Sequence, residues 1–272
     1  MYYFKVGDIV SRKSYGNDIH FLIKDILYTE DQKPVYVLKG LLYRIEADSD
    51  GSDLSVQNPV AARLSVKKYV SDVSRNVHHR NSTRGFFNFI KRMEKPGTIL
   101  QIDSSREFLD MCLRHYRQSK IECTGYLADE SQQPKVVKSL LERYKPDILV
   151  VTGHDGIKKA SAKPDSLDNY RNSRYYVRSV NEARKYQPDP DKLCIFAGAC
   201  QSYFEAIMSE GANFASSPGR VLINALDPAI VCEKVDLTDY RKIVTPEEVA
   251  ELTISGPKGI GGINTKGRMK IR

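Results

Sequence analysis

The sequence predicts an α/β protein: a mostly parallel sheet with helices on both faces, preceded by a small SH3-like β-barrel. Three observations carry this reading. Residues 1–60 hold short β-branched and aromatic runs broken by turn signals. From residue 98 onward, apolar strand-like runs alternate with amphipathic helical ones, the mark of right-handed βαβ crossovers. Between them, residues 61–96 carry nine Lys/Arg against two acids, which reads as a basic linker and a short helix. The expected division is therefore 1–60, 61–96 and 97–272. With 272 residues, 41% of them hydrophobic, the chain can bury a real core without disulfide or metal staples.

Each element has a local cause. FKVGDIVSR, IHFLIKDILY and KPVYVLKGL are the first strands, with breaks at Ser14–Asp18, Glu30–Pro34 and Asp48–Asp53. Pro96-Gly97 ends the basic stretch. Thr98–Ser104 is a strand. Arg106–Gln118 is a helix, with Phe108, Leu109, Cys112, Leu113 and Tyr116 on one face and Ser104 or Ser105 as its cap. Lys120–Tyr126 is a second strand. Ser131–Tyr144 is a helix with Pro134 in its first turn, and Val136, Val137, Leu140, Leu141 and Tyr144 inward. Asp147–Thr152 is a continuous apolar strand, as expected for a sheet covered on both faces. A polar loop to about Arg174, a helix over Tyr175–Tyr186 and a strand over Lys192–Ala199 follow. A helix over Ser202–Glu210 then stops at Gly211. Asp227-Pro228 starts another helix. Lys258–Arg272, with four glycines, five basic residues and no acid, reads as a flexible tail.

The formal net charge is +8. Residues 61–96 carry +7 and the tail +5, so the rest of the chain sums to −4. The candidate core is thus not basic, and the charge argues poorly for a nucleic-acid groove. No stretch approaches a membrane span, and the first residues lack a signal-peptide core. A cytosolic origin is expected. Five cysteines with no C-x-x-C and no zinc-finger spacing argue against a disulfide framework or a structural zinc. Cys112, Cys123, Cys194 and Cys232 sit in apolar contexts and read as core.

Cys200 differs, because it ends a strand-like run and is expected to open a helix. In open α/β sheets, function collects beyond the carboxyl ends of the strands. Asp103 ends the first strand of the second domain, Thr152-Gly153-His154-Asp155-Gly156 the third, and Ala197-Gly198-Ala199-Cys200 the fourth. Adjacent parallel strands would bring His154 and Cys200 together. A thiol is mostly protonated at neutral pH, and an imidazole can take that proton to make a nucleophile. Ala199 and its small neighbours leave room for a substrate backbone. The N–H of Cys200, with that of Asp155 or Gly156, would form an oxyanion hole.

The order strand–His–helix–strand–Cys resembles the caspase-like clan of cysteine peptidases. FKVGDIV, DILVVTGHDG and IFAGACQSYFEAI resemble, more closely, the YabG-type sporulation-specific peptidases of endospore-forming Firmicutes. That resemblance implies a caspase-like fold for residues 97–272 and an endopeptidase that trims spore coat and cortex-related proteins. It places the activity in the mother cell or on the forespore surface. It makes His154 the catalytic base and Cys200 the nucleophile, with no cofactor required and calcium dependence left open. In Arg/Lys-specific members of the clan, an acid ending the first strand lines the pocket for the basic side chain. Asp103 holds that place, and it is equally a helix cap. Asp155 and Asp227 are alternatives. Here Asp155 separates His154 from Gly156, where the wider clan has Gly directly after His.

A non-catalytic nucleic-acid or spore-surface adaptor is the competing reading, carried by the two basic segments. A nucleotide-binding domain is weaker, since Ile102–Arg106 offers no Gly-rich loop after the first strand. If the enzyme prefers Arg or Lys, the same two segments become expected self-cleavage sites. Oligomeric state is not legible.

Overall fold

The computed structural model describes residues 3–82, 94–158 and 165–271. Five strands form the N-terminal sheet: β1 (Ile9–Arg12), β2 (Phe21–Tyr28), β3 (Pro34–Gly40), β4 (Glu46–Asp50) and β5 (Leu54–Val56). All are antiparallel, in the order β4-β3-β2-β1-β5. Along β2, Phe21 and Ile23 are buried while Lys24 is exposed, the alternation of a sheet with one covered face. The expected break at Asp48–Asp53 instead contains the end of β4 and a single 3-10 turn over Gly51–Asp53. Asp50 caps that turn by accepting from the Ser52 N–H. The turn swings β5 back to pair with β1.

The expected linker is a helix. α1 runs over Pro59–Ser82, started by Asn58, whose side-chain oxygen accepts the N–H groups of Val60 and Ala61. Its charge pattern misled because a solvated helical face is as polar as a linker. The expected short helix over GFFNFIKRM lies outside the described residues.

After β6 (Glu94–Lys95) come β7 (Thr98–Asp103), α2 (Arg106–Gln118), β8 (Glu122–Leu127), α3 (Gln133–Tyr144) and β9 (Ile148–Thr152). Then follow α4 (Ser173–Tyr186), β10 (Cys194–Ala197), α5 (Phe204–Ser209), β11 (Phe214–Ser216) and α6 (Asp227–Asp236). The chain ends with β12 (Ile243–Val244), α7 (Pro246–Leu252), α8 (Gly256–Gly259), β13 (Ile260–Gly262), β14 (Thr265–Lys266) and β15 (Lys270–Ile271). The central sheet has the order β13-β11-β10-β9-β7-β8, parallel except for β13. Every residue of β9 and β10 is buried, as central strands covered on both faces must be.

Helices cover both faces. α2 buries the predicted Phe108, Leu109, Cys112, Leu113 and Tyr116. α3 buries Val137, Leu140 and Leu141, but Tyr144 points outward at 39% exposure. One apolar cluster runs without a break from Val10, Phe21, Ile23 and Leu38 of the first sheet to Ile99, Cys112 and Phe196 of the second.

The expected flexible tail is built into the fold. β13 edges the central sheet, β14 pairs with β12 and β15 with β6. Arg268 is buried and donates to the carbonyls of Pro190 and Asp191. The glycines that suggested looseness serve close approach: a Cβ on Gly262 would stand 2.4 Å from the Asn213 carbonyl oxygen.

Candidate active site

Strand order reverses at β7. Its neighbour on one side, β8, follows it directly, and its neighbour on the other, β9, follows β8. Such a switch point leaves a crevice beyond the strand ends. Asp103 pairs with Thr152 in register there, and Ala197 pairs with Val151 one strand further on. His154 and Cys200 therefore each lie three residues past a matched pair, at the same level of adjacent strands.

Cys200 is fully buried. Its Sγ accepts from the Ile223 N–H at 3.0 Å and lies 3.6 Å from the Ile223 carbonyl oxygen. The helix expected to begin at Cys200 begins at Phe204, because residues 200–203 form a turn. Dipole support for a thiolate is thereby removed. Burial pushes the thiol pKa far up, and the Asp155 carboxylate adds to this; the Ile223 hydrogen bond and the Arg44 charge oppose it. Ala199, also buried, donates its N–H to Ser202 Oγ at 2.9 Å.

His154 stacks on Phe108 with ring centres 5.2 Å apart. Its Nε2 lies 3.4 Å from the Gly40 carbonyl oxygen, and that acceptor selects the Nε2–H tautomer. Nδ1 has no hydrogen-bond partner and stands 3.9 Å from Glu130 Oε1, beyond bonding distance. Burial, then the positive charges of Lys39 and Arg44, push the imidazole pKa well down, although Glu130 pulls the other way. The ring is neutral, with an unbonded lone pair on Nδ1; the hydrogen-bond partners of Cys200 Sγ are the N–H and carbonyl of Ile223, not this ring. Glu130, which sequence reasoning missed, accepts from the His154 N–H at 2.8 Å and from Ser104 Oγ at 2.5 Å. Burial alone would raise its pKa, but Lys39, 3.6 Å away, and these hydrogen bonds outweigh burial and hold it ionised.

The Asp155 and Asp227 carboxylates are both occupied by hydrogen bonds within the fold. The Asp155 carboxylate, fully buried, accepts from Gly156 N–H, Asn172 N–H, Ser173 Oγ and Ser202 Oγ, and so ties the His154 loop to the Cys200 turn. Burial lifts its pKa to about 6 against those donors. The Gly156 N–H is used in that bond. Asp227 accepts backbone N–H groups of Asn224, Ile254 and Ser255. Among the described residues, no three His, Cys, Asp or Glu side chains gather as a metal site would need.

The least expected feature comes from the first sheet. β3 and β4 form a hairpin closed by the Gly40 N–H donating to the Ile45 carbonyl at 2.9 Å. Its tip, Leu41 to Arg44, enters the crevice. Tyr43 bridges Asn224 antiparallel, and Ile45 bridges Asp155 parallel. The Arg44 N–H donates to the Ile223 carbonyl at 3.3 Å. The Arg44 carbonyl oxygen accepts from two N–H groups, those of Asp155 and Cys200, each at 3.1 Å. The Arg44 side chain is completely buried. Nη1 bonds Asp103 Oδ2 at 2.8 Å, Nη2 bonds the Ala225 carbonyl at 3.0 Å, and the guanidinium lies 4.9 Å from the Phe108 ring centre. Asp103, fully buried, also accepts from Gln101, Thr152 and the Ser105 N–H. The helix cap is Ser105, which accepts from the Phe108 N–H. Arg44 did carry a signal in the sequence, a lone cation in the apolar run Leu41–Ile45. Gly156 makes the approach possible, since a Cβ there would stand 2.1 Å from the Glu46 carbonyl oxygen.

The profile of the YabG peptidase U57 family matches residues 5–272. The Sporulation-specific protease YabG of Bacillus subtilis (strain 168) is 36% identical over 281 residues, spanning 98% of this chain and 97% of that protein. The fold and the crevice thus lie within one family over nearly their whole length: the chain belongs to the YabG peptidases.

Proposed function

We propose that the protein is a cysteine endopeptidase that cuts after arginine, with Cys200 as nucleophile, His154 as proton shuttle and a thioester intermediate. One observation carries this reading. The Arg44 carbonyl oxygen rests on the N–H groups of Asp155 and Cys200, where an oxyanion would be held, while its guanidinium meets Asp103. Asp103 and the Ala225 carbonyl supply separate acceptors for the two guanidinium ends, which favours arginine over lysine. Ala199, behind Cys200, keeps the turn close to the substrate backbone. His154 and Cys200 just past the ends of adjacent parallel strands support a caspase-like domain over residues 97–272. The strand order and 3-10 turn of residues 1–60 support an SH3-like barrel. The B. subtilis relative's name supports a role in sporulation. Spore coat and cortex-related proteins are the proposed substrates, cut in the mother cell or at the forespore surface. No helix among the described residues is long and apolar enough to cross a membrane. The adaptor reading loses force because its basic tail is an ordered part of the sheet system.

The test is a peptide library read by mass spectrometry. New ends after arginine are expected with the wild type. Cys200→Ala and His154→Ala should each lower the rate by at least about 10³-fold with the circular dichroism unchanged. Full activity in either variant removes that residue from the mechanism.

A further inference from the structure

We infer that Glu130 is a positioning residue of the reaction, whose charge stabilises the imidazolium formed when His154 takes the Cys200 proton. This rests on the reading of Cys200 and His154 given above. In that step the S–H bond breaks and the sulfur keeps the electron pair. The ring gains an N–H bond and a positive charge. Its surroundings otherwise oppose that charge. The ring is 3% exposed, and the Lys39 ammonium and Arg44 guanidinium both repel a cation there. Glu130 offsets them. Its Oε1 stands 3.9 Å from Nδ1, beyond a hydrogen bond but close for two charges in a dry site. A neutral imidazole has one N–H, and the Gly40 carbonyl, 3.4 Å from Nε2, lies ready for it. An imidazolium has an N–H on each nitrogen. Only in that form do both acceptors, the Gly40 carbonyl and the Glu130 carboxylate, face a donor.

The fold goes to some trouble to place this carboxylate. Glu130 lies three residues past the end of β8 and reaches over the end of β7 to the loop after β9. Gly153 leaves room for it, since a Cβ there would stand 2.6 Å from Glu130 Oε1. Hydrogen bonding alone does not account for an acid at this place. Oε1 accepts from the His154 N–H and from Ser104 Oγ, and an amide oxygen would accept both without burying a charge. Nor does the loop depend on Glu130 to hold its course. The His154 carbonyl accepts from Asn172 Nδ2 at 2.8 Å and Tyr176 Oη at 3.0 Å, and the Asp155 carboxylate accepts four donors. What the carboxylate adds is its charge beside the ring.

Full-length wild type, Glu130→Gln and Glu130→Asp should be assayed on an arginine peptide, with kcat and KM separated and folding checked by circular dichroism. Glu130→Gln keeps the shape and the acceptor oxygen and removes the charge. It should lower kcat on the order of 100-fold and leave KM within about twofold. Glu130→Asp keeps the charge, set back by one methylene, at the expense of the two hydrogen bonds. Its kcat should stay within about tenfold of the wild type and exceed that of Glu130→Gln. A purely structural role gives the opposite order. That order, a Glu130→Gln kcat within about threefold of wild type, or a change carried by KM alone would overturn the inference. Each of these would leave the peptidase reading standing. If Glu130→Gln does not fold, Glu130→Asp decides alone: a kcat loss beyond about tenfold overturns the inference. A wild type that cuts no arginine peptide defeats both.

Discussion

Replacing Arg44 by Met in a Cys200→Ala background tests how firmly the hairpin tip is held. Arg44 Nη1 and Asp103 Oδ2 are 2.8 Å apart, and both side chains are fully excluded from water. At an effective dielectric near 20, the attraction at that distance is about 6 kcal/mol, much of it offset by desolvation. A single substitution therefore reads mainly the cost of stranding the partner. Arg44→Met leaves Asp103 with donors from Gln101, Thr152 and Ser105. The expected loss is then at the low end of the buried-pair range, about 3 kcal/mol. Asp103→Asn strands a guanidinium that keeps the Ala225 carbonyl, the Gly153 carbonyl at 3.5 Å and the Phe108 ring, for a loss of about 3–4 kcal/mol. The double variant buries no unpaired charge, so its loss should fall short of the sum by at least about 2 kcal/mol. Urea unfolding with an unchanged m-value is the measurement. A loss under about 1 kcal/mol for Arg44→Met, or strict additivity, would falsify the claim that the tip is seated through this pair.

Two further outcomes follow from the same geometry. Burial first, then Lys39 and Arg44, hold the His154 pKa far below its ordinary value, so folded His154 stays neutral while the unfolded residue takes a proton below about pH 6.5. Its contribution is whole above that pH and falls by about 1.4 kcal/mol per unit as pH drops. Between pH 6.5 and 5, His154→Gln should therefore lose about 2 kcal/mol less stability than its parent; parallel curves would count against a buried neutral ring. Gly156→Ala sets a Cβ against the Glu46 carbonyl oxygen, which as backbone cannot easily yield. A loss of about 1–3 kcal/mol is expected, and an unshifted melting temperature would show that the hairpin does not pass there.

The central sheet and its helices were legible because their causes are local. Apolar runs such as Ile148–Thr152 and faces such as Phe108–Tyr116 report burial directly, and strand alternation fixes His154 and Cys200 at matched heights. Asp103 was legible by its place at a strand end, but its partner was not. Arg44 lies 59 residues away in a module with no local reason to touch the crevice. Glu130 was hidden for the same reason, since it reaches His154 across 24 residues of chain. The basic segments were misread because charge reports solvent on one face and says nothing of pairing on the other. α1 and the paired strands of the tail both satisfy that pattern.

The seated hairpin tip also sets a scale for competition. A covalently attached loop behaves as a ligand at an effective concentration on the order of millimolar, whatever the amount of enzyme. On the proposed reading, a free arginine peptide would bind only the fraction of molecules whose tip has left, so its apparent Kd would be its intrinsic Kd divided by that fraction. Diluting or concentrating the enzyme changes nothing in this balance. Crowding the substrate does: if the proposed coat substrates are met as an assembled layer, densely packed cleavage sites would match the tether, whereas the same sites in dilute solution would not.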